Sequence, residues 1–171
     1  MIIVGNSETN NFSTKTEGIC NIDEAVAYWI GSTEVKDDAG KGNLLYRLTE
    51  KGGDLFNTQS HDNQSKANRS ILKLFKEAAI QLTFQDACYN GENSFVTSRL
   101  RYITNKLVSK MTIPLVQHLL YNLKQHDHGR VKIYAHAVVP LVAACDKSIF
   151  TYLKEKLIVN TYEISEVNEI I

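Results

Sequence analysis

Ile71, Leu74, Phe75, Ala78, Ala79 and Leu82 recur at i, i+3, i+4, i+7, i+8 and i+11. That spacing gathers all of them on one face of an α-helix, and no strand alternation fits it. A helix with such a stripe must bury it against other elements, and the rest of the chain offers only further helices. Ile22, Ala25, Val26 and Trp29 form a second apolar face, with Asn21 as its cap, Glu24 at the capping-box position and Gly31 as its stop. A shorter helix is expected over 43–51, with Leu44, Leu45 and Leu48 inward and Gly52-Gly53 ending it. Phe56 to Gln64 reads as a polar loop.

A long fourth helix is expected from about Ser94. Its inner stripe is Leu100, Ile103, Leu107, Met111, Pro114, His118 and Tyr121, and its outer face carries Arg99, Lys106, Lys110 and Lys124. The stretch Gln125-His126-Asp127-His128-Gly129 breaks it. A fifth helix follows, from about Arg130 to Leu157. Its segment Ile133 to Cys145 is apolar almost all round, which predicts a central, buried helix with Cys145 inside. The fold class is all-α: a single helical bundle of about five helices, with a proline-kinked antiparallel hairpin of helices four and five at its core. Residues 1–20 read as a flexible N-terminal segment, 21–158 as the bundle domain, and 159–171 as a tail or the start of a further segment.

Composition narrows the function classes. The chain has 171 residues with 19 Lys+Arg against 19 Asp+Glu. Zero net charge argues against a dedicated nucleic-acid binder, which needs a cationic excess. Three cysteines are too few for a disulfide scaffold and lack zinc-like spacing. No signal-peptide pattern opens the sequence. The run from Ile133 to Cys145 is too short to span a bilayer. Taken as given, the chain reads as intracellular, with free thiols.

Both prolines lie inside helical patterns, where each removes one backbone hydrogen bond at a cost of ~3 kcal/mol. A hairpin centred at Asp127 sets Pro114 level with Pro140, His118 level with His136, and Tyr121 beside Ile133 and Tyr134. Two imidazoles and one or two phenols at one height suit a metal, with freed carbonyls or acids completing the shell. The same residues equally suit a packed core with neutral, hydrogen-bonded histidines. Tyr28 stands off the first helix's apolar face, a turn from Glu24, and is a further candidate for a hard cation or plain surface packing. His126-Asp127-His128 reads as a solvated turn. No Ser/His/Asp or Cys/His arrangement marks an enzyme.

Four ordered stretches resemble a known family. They are Asp23 to Ser32 (DEAVAYWIGS), Gly42 to Leu48 (GNLLYRL), Met111 to Gln117 (MTIPLVQ) and Ile133 to Val142 (IYAHAVVPLV). Their order and spacing resemble a helical repeat domain abundant in diatoms, itself distantly similar to the algal iron-assimilating, phytotransferrin-like proteins. The likeness covers about residues 20–157. It implies a helical domain, often in tandem, at the cell surface or secreted, binding ferric iron with carbonate. Tyr28, Tyr46 and the second Pro-Leu segment stand at matching positions. The expected function is a non-enzymatic helical binding domain that takes Fe(III), with His118, Tyr121, His136, Tyr134 and Tyr28 as candidate ligands. The alternative is a metal-free module that binds a protein partner. Neither reading involves nucleic acid or a membrane span.

Overall fold

The computed structural model describes residues 14–31, 44–83 and 95–159. Among them are six α-helices: α1 (Thr14–Ile30), α2 (Leu44–Leu55), α3 (Lys66–Thr83), α4 (Phe95–Lys124), α5 (His128–Val142) and α6 (Lys147–Lys154). A π-helical turn, Glu155–Val159, continues α6. The only β-pairing among the described residues is an isolated bridge between Gln59 and Ser65. The all-α helical reading holds. The chain forms two compact units, one up to Met111 and one from Thr112, so the boundary falls within α4 and the expected 21–158 domain spans both.

The first unit is built on the stripes read from the sequence. Ile22, Ala25 and Trp29 of α1, Ile71, Phe75, Ala78 and Leu82 of α3, and Ile103 and Leu107 of α4 form one buried cluster. Burying side chains of this size stabilises by about 1.5–3 kcal/mol each, which is what holds short helices together. Gly31 ends α1 as expected. Its φ of 73° is the left-handed conformation that glycine adopts freely, and its N–H donates to Ala27 O at 2.8 Å.

Two expectations in this unit are corrected. The first helix does not start at Asn21 but at Thr14, so Asn21 to Glu24 are mid-helix and residues 14–20 are helical. The second helix does not stop at Gly52-Gly53. It runs to Leu55, its buried residues are Thr49, Gly52 and Gly53, and Leu44 and Leu45 are exposed. Packing requires a glycine at position 53: a Cβ there would lie 2.9 Å from Ser65 Cβ. The polar loop that follows is tightly bonded, with Thr58 N–H donating to Gly53 O (2.7 Å) and Ser60 N–H to Gln64 O (2.8 Å).

In the second unit, Leu119 and Leu123 of α4 pack with Val131, Ala135, Val138 and Val139 of α5 and Leu157 of the π turn. The α4–α5 connection is short because each residue has a defined role. His126 takes φ 54°. Asp127 N–H donates to Asn122 O (3.1 Å) and His126 N–H to Leu123 O (3.1 Å), a Schellman closure of α4. Asp127 then caps α5, its side chain accepting from Arg130 N–H at 3.0 Å.

The predicted fifth helix is two. It breaks at Ala143–Cys145, and Asp146 caps α6 by accepting from Ser148 N–H (2.8 Å) and Ile149 N–H (3.0 Å). The Asp-x-Ser pattern at 146–148 was the signal. Nor is α5 buried all round: Ile133 is 68% exposed, and Leu141 and Cys145 are exposed too. An apolar sequence stretch reports helix-forming residues, but only Val131, Ala135, Val138 and Val139 of α5 are buried.

These bonds hold the Asp146 carboxyl below the usual carboxylate range, first through the Ser148 hydroxyl and then the Ile149 N–H. A carboxylate lowered on folding contributes stability above its unfolded pKa and loses it as pH falls through the lower folded value. The second unit should therefore weaken in acid below the ordinary carboxylate range. In Asp146→Ala, helicity followed by circular dichroism should show a lower midpoint at neutral pH and a flatter acid limb. An unchanged acid limb would remove Asp146 from that account.

Candidate functional site

Each predicted ligand has a definite place. His118, on α4, is 5% exposed. Its ring stacks on Tyr134 of α5, with centroids 5.5 Å apart and planes 21° from parallel. Asn122, also buried, donates from Nδ2 to His118 O at 2.6 Å. Tyr121 is half-buried on α4. Burial pushes the Tyr134 phenol above its ordinary value, and Arg130 opposes this more weakly.

The histidine pair expected at one level is not formed. His118 lies beside Tyr134, and His136 is exposed. The cause is the turn. With α4 ending at Lys124 and α5 starting at His128, the connection is centred on His126, not Asp127. The partner of His118 thus moves two residues toward the turn, and two residues rotate a helical side chain by about 200°. His136 accordingly leaves the face of Val131, Ala135 and Val138. Pro114 is buried while Pro140 is exposed, so the prolines do not share an environment either. Tyr28 is 63% exposed and belongs to the first unit, whereas the other four candidates belong to the second. Among the described residues, no three His, Cys, Asp or Glu side chains are grouped as a metal would need.

The most developed polar arrangement is one the sequence reading passed over. In the first unit, the Trp29 indole Nε1–H donates to Asn68 Oδ1 at 2.9 Å, in a buried contact. Asn68 Nδ2 donates to Tyr46 O (2.9 Å) and to Glu50 Oε1 (2.6 Å). The other Glu50 oxygen accepts from Ser65 N–H at 2.9 Å. Gln64 Nε2 donates to the Tyr46 hydroxyl at 3.0 Å. One amide thereby joins α1, α2 and α3, with its oxygen and nitrogen both in use. A signal was present: the α3 stripe continued back from Ile71 by three residues lands on Asn68, a polar residue at a core position. Its groups are turned toward one another, which suits a structural lock and not a ligand pocket.

No family model matches the chain, and no match is found among curated proteins or solved structures.

Proposed function

We propose that the chain is a non-enzymatic helical interaction module that works through its outer surface without a metal centre. The observation that carries this reading is the exposure of His136 on α5, while His118 on α4 is buried. Without a second imidazole, buried His118 and partly buried Tyr134 supply only two donors in contact, one of them a phenol. A hard ferric ion prefers several anionic oxygens. The ferric-iron reading, with carbonate as the synergistic anion, draws its support from the sequence resemblance and from that same ring contact.

One experiment separates the two. The purified full chain is titrated with ferric iron in bicarbonate and then desalted. The module reading expects no visible phenolate-to-iron band and no stoichiometric iron by elemental analysis, in the wild type and in His136→Ala alike. A retained equivalent of iron with a charge-transfer band, lost in Tyr134→Phe, would overturn it in favour of iron.

A further inference from the structure

The chain's charges cancel in total but not in place. Helix α4 has no Asp or Glu between Phe95 and Lys124, and α3 has one acid, Glu77. In the first unit, Lys66, Lys73 and Lys76 occupy the outer stripe of α3, opposite Ile71, Phe75, Ala78 and Leu82, and all three are exposed. On α4, Arg99, Lys106 and Lys110 follow one another at helical spacing along a single flank. The Arg99 guanidinium bonds the Glu77 carboxylate, so the Arg99 end of that flank meets α3 at Glu77, with Lys73 and Lys76 on the adjoining turn of α3. The exposed acids of α1, Asp23 and Glu24, stand on a different helix.

Apolar side chains are set among these cations. Phe95, one turn before Arg99 on the same flank, is 81% exposed, and Ile80, one turn after Glu77 and in line with Lys73 and Lys76, is 46% exposed. On α4, Tyr102, also 46% exposed, has the Arg99 guanidinium 5.1 Å and the Lys106 ammonium 4.5 Å from its ring centroid. A solvated cationic face needs no bare phenylalanine at its edge. Cations interleaved with projecting apolar tips are what a helical surface presents to an anionic bilayer, where headgroups meet the charges and the tips enter the acyl boundary. A single-stranded nucleic acid would instead need open aromatic platforms. Here the Tyr102 ring is engaged by its own cations, and Ile80 offers no face for stacking.

We infer that the α3–α4 face of the first unit is a peripheral docking surface for anionic phospholipid membranes, with Lys73, Lys106 and Lys110 meeting headgroups and Phe95 and Ile80 inserting. This rests on the reading of the chain as an interaction module and names the partner of one of its surfaces. It involves no spanning segment, in keeping with the absence of any described helix long and apolar enough to cross a membrane.

Co-sedimentation of the full chain with vesicles tests it. The chain should pellet with phosphatidylcholine–phosphatidylserine vesicles and not with phosphatidylcholine alone, and salt near 1 M, where the Debye length is about 3 Å, should release it. Lys73→Ala/Lys106→Ala should weaken partitioning by about 25-fold, at roughly fivefold per cation. Phe95→Ser/Ile80→Ser should weaken it by at least tenfold, and all four positions are exposed enough that the fold, checked by circular dichroism, is kept. Equal pelleting with both vesicle types, or either double variant binding like wild type, would overturn the proposal. So would a single-stranded oligonucleotide that binds more tightly than the vesicles and displaces them. Failure with vesicles would leave the module reading standing, because the iron titration decides that separately.

Discussion

Asn68→Ala should unfold the first unit more readily than any other polar substitution in it, by roughly 2–4 kcal/mol. Truncation removes three partners at once. The Trp29 indole N–H, on a side chain 1% exposed, loses its acceptor. The Glu50 carboxylate and the Tyr46 carbonyl lose their donor. A buried polar group left unsatisfied costs about 1–3 kcal/mol, and more where it is charged. The measurement is direct because Trp29 is the only tryptophan in the chain. Its fluorescence in a urea titration therefore follows the first unit alone, even if the two units do not unfold together. Asn68→Asp keeps the oxygen facing Trp29 but sets a second carboxylate against Glu50, so at neutral pH it should destabilise at least as much. A loss under about 0.5 kcal/mol in Asn68→Ala, the range of an ordinary surface change, would mean the network does not hold the helices together.

Gly53→Val should rank next. A Cβ at position 53 meets Ser65 Cβ at 2.9 Å, Oγ at 3.1 Å and Cα at 3.3 Å. None of these is the far end of a flexible chain, so α2 and the start of α3 must separate. Overpacking of this kind costs typically 1–3 kcal/mol. The separation also strains the Glu50–Ser65 bond, at 2.9 Å. Gly53→Ala would gain about 1 kcal/mol of helix propensity in an open site, and here that gain should be cancelled or exceeded. The companion variant Gly53→Ala/Ser65→Gly removes the colliding Cβ and should recover part of the loss in the same urea titration. Gly53→Val melting like the wild type would show that the two segments tolerate separation.

These two sites also show where sequence reading stopped. Apolar periodicity located α3 and the inner faces of α1 and α4, because Ile71, Phe75, Trp29, Ile103 and Leu107 are buried for the reason their spacing implies. Glycine was read by local rule. Gly31 obeyed it, with φ 73°. Gly52 and Gly53 did not: both lie inside α2, and at Gly53 a close approach from Ser65, distant in sequence, outweighs helix propensity. The imidazole pair depended on one number, the centre of a turn, and a Schellman closure at His126 moved it by a single residue. That was enough to turn His136 outward. The apolar run of α5 misled in another way: it contains enough aliphatic residues for two faces, and the fold packs one of them.

The gathering of lysines on α3 and on an α4 that holds no acid has a colloidal consequence. A molecule with a sequence pI of about 7.0 carries no monopole near neutral pH to keep its copies apart. What remains is local: the lysines of α3 and α4 form a cationic patch whose two helices hold a single acid, Glu77. Molecules with no net charge attract one another where such a patch meets a neighbour's acids, and added electrolyte screens that attraction. Such a protein is least soluble in dilute buffer near neutrality and dissolves better as salt is added. A net count of zero conceals this, because solubility follows the arrangement of the charges as well as their sum.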